Sequence, residues 1–252
     1  MIYHPGKCGG STIENLFLRP LCDTDLDGLF GKPCIGALTH GELPAEWMES
    51  RLGLMLGFLP SANSVNGIGD IFLQHADIYA SRNLLGADTV ARMFKIAFVR
   101  NPFPRLLSAF FYNGCHRKWT FRDFVLSQLE QELLRNRPYT VGHFGEMHRY
   151  THFEGMQFVD FVGRLEHIET DIGELSNTVG IPLDLVGIRQ SAKTIASKVY
   201  GHYSEAYDDA MVERIHDLYR KDFDCFGYHF ERALPFHPRD EMPVQPASAH
   251  SA

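Results

Sequence analysis

The chain has 252 residues, 44% hydrophobic and 22% charged, which suits a globular protein with a substantial core. Its formal net charge of −7 disfavours a surface built for nucleic acid, while leaving room for a local basic pocket. The five cysteines (Cys8, Cys22, Cys34, Cys115 and Cys225) form no CxxC pair, which argues against a zinc cage or a disulfide scaffold. With no signal peptide ahead of residue 4 and no apolar run of membrane-spanning length, the expectation is a cytoplasmic protein without a transmembrane segment.

Met1 to His4 reads as a short strand, and Ser11 to Leu18 as a helix stopped by Pro20. Residues 21–42 are a Gly- and Asp-rich loop; Pro44 opens a helical turn in 43–53; residues 61–69 are loop again. IFLQHA (71–76) is a short apolar strand or loop, and residues 77–86 are a helix closed by Gly86. FKIAFV (94–99) is the clearest buried strand, and Pro102 then opens a helix through Tyr112. Thr120, with Asp123 three residues on, caps an amphipathic helix over 120–137. A strand at 158–165, a helix at 169–180 with a Gly stop and a long amphipathic helix at 204–223 follow. Strands alternating with helices predict an α/β fold, with a central parallel sheet flanked by helices on both faces. One domain over residues 1–231 is expected, followed by a Pro/Ala/Ser-rich, disordered tail at 232–252.

Two stretches carry chemistry. In HPGKCGGSTIENLF (4–17), Lys7, Cys8, Gly9 and Gly10 lie between a strand and a helix that starts with Ser11 and Thr12. Glycines let backbone amides approach an anion, and a helix N-terminus favours negative charge. The lysine precedes the glycines, so this is not the nucleoside-triphosphate loop. Cys8 reads as a small loop residue, since the sequence locates no base beside it. In FKIAFVRNPFPRLLSAFF (94–111), a buried strand ends on Arg100 and Ser108 lies two turns down the next helix. Both are placed to reach one phosphate.

At this point the sequence resembles the sulfotransferases that use 3′-phosphoadenosine 5′-phosphosulfate (PAPS), above all the carbohydrate type. KCGGSTIENLF is similar to their 5′-phosphosulfate loop, and VRNPFPRLLSAFF to their 3′-phosphate motif. VDFVGRLEHIETDIGEL (159–175) and YRKDFDCFGY (219–228) also resemble family segments, so the resemblance runs from His4 to Tyr228. It implies a P-loop-like three-layer fold and a sulfuryl transfer from PAPS to a hydroxyl. It also implies that Lys7, Cys8, Gly9, Gly10, Ser11 and Thr12 hold the 5′-phosphosulfate, and that Arg100 and Ser108 hold the 3′-phosphate. Arg164 is a weaker nucleotide contact, equally suited to pairing with Glu166.

An in-line transfer needs a base for the hydroxyl proton and positive charge on the leaving phosphate. Lys7 suits the second role. For the base the resemblance implies His75, in QHADIYASRNLLG ahead of the 3′-phosphate strand; His40, with Glu42 beside it, is the reserve. His143, His148 and His152 have loose metal-like spacing but not the HExxH order, and read as groove-lining or capping residues. No metal is expected, because a sulfuryl group carries less charge than a phosphoryl group and no acidic cradle stands out. The acceptor is expected to be a carbohydrate or another hydroxyl-bearing molecule; CHRKW (115–119), Arg135, Arg137 and Arg149 form a candidate patch for an acidic glycan. Two rivals stand beside this reading. A kinase of related fold would want GxxxxGK[ST] and an acidic magnesium ligand, and no such loop occurs. A non-catalytic protein would bind the desulfonated nucleotide PAP without turnover.

Overall fold

The apolar run at 94–99 becomes the middle of a parallel sheet, and the rest of the fold is arranged on its two faces. The computed structural model describes residues 1–18, 76–134, 143–185 and 199–233. In chain order its main elements are β1 (Ile2–Tyr3), α1 (Gly10–Leu18), α2 (Ile78–Leu85), α3 (Ala87–Arg92), β2 (Ile96–Val99), α4 (Pro102–Tyr112), α5 (121–134), β3 (His152–Phe153), β4 (Met156–Gln157), β5 (Phe161–Arg164), α6 (Ile168–Val179), α7 (Asp209–Leu218) and α8 (Arg220–Phe226). The sheet order is β1-β2-β5, all parallel, with Ile2 opposite Ile96 and Val99 opposite Arg164. All four residues of β2 are buried, as a central strand covered on both faces requires.

Alternation along β2 assigns the layers. Ile96 and Phe98 pack with Ile13, Leu16 and Phe17 of α1 and with Ile172 and Leu175 of α6. On the other face, Ala97 packs with Tyr3, Ile78 of α2 and Tyr150, while Val99 packs with Cys8, Met147 and Phe226 of α8. The result is helix, sheet, helix. Gly163 stands opposite Phe98, and a Cβ there would lie 2.3 Å from the phenyl ring, so the bare residue lets Phe98 lie across β5. At the other end of β2, Asp160 accepts from the Lys95 amide at 2.7 Å and pairs with its ammonium at 2.9 Å, pinning the start of β5 to β2.

Local signals place most ends. Asp77 caps α2 through the Ala80 amide, Asn101 caps α4 through the Phe103 amide with Pro102 at the first position, and Thr120 caps α5 through the Asp123 amide. Gly180 ends α6 at φ 67°. The helix expected over 204–223 is instead three pieces: a 3₁₀ turn (Tyr203–Ala206), α7 and α8. Two buried tyrosines break it. Tyr207 is extended, so that its hydroxyl donates to Phe103 O at 2.7 Å, and Asp208 then caps α7 afresh. Tyr219 leaves helical geometry between α7 and α8 and donates to Phe144 O at 2.6 Å. The β3–β4 hairpin and the π-helical stretch Phe124–Gln128 inside α5 are further additions to the expected elements.

The expected loops and turns between residues 19 and 75 lie outside the described residues, as do the last residues of the 120–137 helix and the tail beyond 233. Within the described residues, Arg232 pairs with Asp209 at 2.5 Å and the Ala233 amide donates to Ser204 Oγ at 3.0 Å. No helix among the described residues is long and apolar enough to cross a membrane. The two tyrosine bonds give a stability test. Tyr207→Phe and Tyr219→Phe each remove one buried donor, and each is expected to lower unfolding free energy by about 1 kcal/mol in urea titrations. Parental stability in both would mean that these bonds do not hold the helix break in place.

Candidate active site

Parallel strands point their carboxyl ends at one edge of the sheet, and the loops leaving those ends form its crevice. The first such loop runs from His4 to Gly9 and feeds α1. Lys7 sits at φ 66° and Gly9 at φ 80°. Positive φ at near-successive residues is the pattern that turns backbone N–H groups toward one concave side. For a lysine this conformation costs of order 1 kcal/mol or more and needs the surroundings to hold it. Gly10 has a different reason to be bare: the His4 ring occupies the place of its Cβ, 1.9 Å away. Gly9 O accepts from the Thr12 and Ile13 amides at 2.9 and 3.1 Å, which starts α1. The earliest amides of the helix, those of Gly10 and Ser11, have no carbonyl within it to donate to.

The second element is α4, which carries Arg105, Ser108 and Tyr112 at i, i+3 and i+7, one face of a helix. Arg105 is completely buried. Its Nε donates to Gly6 O at 2.9 Å, and one terminal nitrogen donates to His143 O at 3.3 Å and to Gly145 O. Burial alone would lower its pKa, but the neighbouring Cys8, Tyr219 and Asp222 outweigh that and raise it, so the guanidinium is a fixed charge. At the far end of the same face, the Tyr112 ring carries the Lys7 ammonium 3.8 Å from its centroid. Ser108 lies between these two residues that touch the loop. It is 3% exposed, and its hydroxyl has no hydrogen-bond partner among the described residues. A buried hydroxyl in that condition costs roughly 1–3 kcal/mol, which a ligand oxygen at that point would recover.

Arg100 continues β2 into the crevice. Its side chain donates to Lys7 O at 3.4 Å, and burial pulls its pKa below the ordinary value without threatening its charge. Arg100 therefore reaches the Lys7 backbone, and Ser108 lies on the helix face whose Arg105 and Tyr112 touch the same loop. Arg164, at the end of β5, donates to Phe226 O at 2.6 Å and lies 4.8 Å over the Tyr228 ring. Glu166 does not pair with it; Glu166 accepts from the Asn101 amide at 2.8 Å and from the Tyr228 hydroxyl at 3.0 Å. Cys8 points inward. Its thiol meets Met147 Sδ at 3.5 Å, burial pushes its pKa up to about 11, and its amide is taken by Pro5 O at 3.3 Å. Thr12 stands in the first turn of α1, as does Ser11.

His75, the expected base, and its reserve His40 with Glu42 lie outside the described residues, as do Arg135 and Arg137. The three histidines with metal-like spacing go to different partners. His143 Nδ1 is 3.0 Å from Asn113 Oδ1, His148 Nδ1 is 3.2 Å from Asp222 Oδ1, and His152 Nδ1 is 2.8 Å from Thr151 Oγ1. Among the described residues no three His, Cys, Asp or Glu side chains gather as a metal site. Arg149, read as part of a glycan patch, pairs with Asp77 at 2.6 Å. Arg105, Tyr112 and Asp222 escaped the sequence reading. The first two had a signal, their helical spacing from Ser108. Asp222 had none; it is wholly buried and accepts from the Met147 and His148 amides at 2.8 Å each.

Comparison with known proteins adds one finding. A family model described as the sulfotransferase family matches residues 75–229, more than half of the chain. The match contains His75, Arg100, Ser108 and Arg164 and begins after the Lys7 loop. No curated protein and no solved structure matches the chain.

Arg105 generates a test that needs no ligand. Arg105→Met leaves three buried carbonyls short of a donor, and is expected to cost about 2–4 kcal/mol in urea unfolding. Arg105→Lys keeps the charge without the planar fork and is expected to recover only part of that loss. Full stability in Arg105→Met would show that the loop holds its shape without the guanidinium.

Proposed function

The chain belongs to the sulfotransferase family, and from that premise we propose that it transfers a sulfuryl group from PAPS to a hydroxyl of a carbohydrate acceptor. When bound, PAPS supplies the sulfuryl group on a phosphate leaving group. The single observation that carries the reading is the Ser108 hydroxyl, buried, without a partner among the described residues, and on the helix face between the Arg105 and Tyr112 contacts to the Lys7 loop. A group that brings phosphate oxygens to this crevice supplies the acceptor this hydroxyl lacks.

In this proposal Ser108 and Arg100 hold the 3′-phosphate, by a hydroxyl hydrogen bond and a charge-assisted one. The amides of Gly9, Gly10 and Ser11, the Thr12 hydroxyl and the α1 dipole hold the 5′-phosphosulfate. Cys8 serves through the shape of its backbone, since its thiol is turned into the core. Arg164 is assigned to the nucleotide through the turn it holds at Phe226 and Tyr228. Lys7 neutralises charge as the phosphate oxygen leaves, moving from its seat on Tyr112. His75 takes the proton of the attacking hydroxyl. Sulfur gains a bond to the acceptor oxygen and loses its bond to the phosphate oxygen, so PAP leaves with the electron pair. Lysine and amide donors supply the stabilising charge, so activity is expected to persist in EDTA.

Calorimetry with PAP tests the pocket. Arg100→Ala is expected to weaken binding by about 1.5–3 kcal/mol, and Ser108→Ala by less. Folded variants of both with parental affinity would reject the 3′-phosphate assignment, and tighter binding of ATP than of PAP would favour a kinase.

Single-turnover transfer from radiolabelled PAPS tests the chemistry. His75→Ala is expected to slow transfer by roughly 10²–10⁴ with PAP affinity nearly unchanged. Lys7→Ala is expected to lower both affinity and rate, because its charge acts before and during bond cleavage. Activity should fall as pH drops through the imidazole range, since only neutral imidazole accepts a proton. A folded His75→Ala protein with a near-parental rate would move the search to His40 and Glu42.

A further inference from the structure

We propose that Tyr112 is a positioning residue of the donor site: its ring holds the Lys7 ammonium at the mouth of the crevice and competes with the nucleotide for it. Tyr112 thereby weakens PAP binding and speeds PAP release. The inference rests on the donor-site reading above, in which Lys7 meets the 5′-phosphosulfate.

The seat is built from the backbone up. Lys7 sits at φ 66°, and its carbonyl accepts from Arg100 at 3.4 Å, so its peptide is held. The four-carbon stem and its ammonium are the part that can swing. The ring is held as well. Tyr112 ends α4, and Asn113 closes the helix, its backbone amide donating to Ala109 O at 2.9 Å and its side-chain amide to the same oxygen at 2.7 Å. The His143 ring meets Tyr112 edge to face at 4.7 Å, and Arg105 ties His143 O and Gly6 O to one guanidinium. Ring and loop thus belong to one frame. Within it the ammonium lies 3.8 Å from the ring centroid, well inside the range of a cation–π contact.

Depth sets the competition. Along one face of α4, Arg105 is 1% exposed, Ser108 3% and Tyr112 58%. The groups suited to an anion lie toward the deep end: the Ser108 hydroxyl, and buried Gly10, which opens α1. The ammonium on Tyr112 is at the open end. To neutralise an anion at the start of α1 it gives up the ring face. A phosphate oxygen offers full charge and a hydrogen bond where the ring offers only its quadrupole, so the exchange runs toward the nucleotide. The ring contact is nevertheless subtracted from the binding energy. It is regained when PAP leaves, which favours release.

A merely structural role for Tyr112 and a competing one differ in sign. Damage to the crevice weakens PAP binding, whereas loss of a competitor tightens it. Calorimetry with PAP on the parent, Tyr112→Leu, Tyr112→Phe, Lys7→Ala and the Lys7→Ala/Tyr112→Leu pair separates them. Tyr112→Leu should bind PAP about 2- to 5-fold more tightly, the scale of an exposed cation–π contact, and stopped-flow release should slow by a similar factor. Tyr112→Phe keeps a ring face and should stay near the parent. In the Lys7→Ala background, Tyr112→Leu should change nothing. This cycle isolates the Lys7–Tyr112 interaction whatever else either side chain touches. Unchanged or weaker PAP binding in a folded Tyr112→Leu protein, or tightening that persists without Lys7, overturns the inference and leaves the donor site standing. A parent that binds no PAP removes the donor-site reading and this inference with it.

Discussion

One buried guanidinium organises the crevice. Arg105 accepts nothing and donates to three carbonyls, from the loop after β1 and from the segment that begins at His143. A backbone that turns through positive φ at Lys7 and Gly9 leaves its carbonyls pointing away from the concave side, and those carbonyls need donors in the core. Arg105 supplies one to Gly6, and Arg100 reaches Lys7 O from the end of β2. These two carbonyls of the loop are thereby satisfied by protein. Asp222 repeats the pattern with opposite sign, holding the amides of Met147 and His148 from α8.

Donors gather at one end of the crevice. Lys7, Arg100, Ser108 and the start of α1 are donors, suited to an anion. His143 stands on the edge of the same loop, its Nδ1 3.0 Å from Asn113 Oδ1. Tyr112 links the two residues, with Lys7 over its face and the His143 ring 4.7 Å away, edge to face. Its exposure of 58% leaves that ring open to whatever approaches from solvent.

Much of the frame was legible because local and global preferences agree. FKIAFV is apolar on both faces and became the central strand; Asn101 with Pro102, Thr120 with Asp123, and Gly180 marked helix ends by chemistry that needs no tertiary contact. The break in the 204–223 helix was illegible, because Tyr207 and Tyr219 fit a helical pattern and leave it only to reach carbonyls at Phe103 and Phe144. In the site, the places of Arg100 after β2 and of Ser108 on α4 were readable from spacing along a strand and helix. Arg105 shares a helix face with Ser108, a signal outweighed by the fact that an arginine in a helix reads as a solvent-facing charge until the carbonyls it serves are known. Cys8 read as a loop residue and is a core residue, because the loop wraps over Met147. The base named from the sequence, His75, lies outside the described residues.

The most direct test is a crystal structure of the protein with PAP. The account predicts a phosphate oxygen within hydrogen-bond distance of the Ser108 hydroxyl and the Arg100 guanidinium, the 5′-phosphate on the amides at the start of α1, and the Lys7 ammonium lifted from Tyr112 toward it. PAP bound elsewhere, with Ser108 still lacking a partner and Lys7 still over Tyr112, would contradict it.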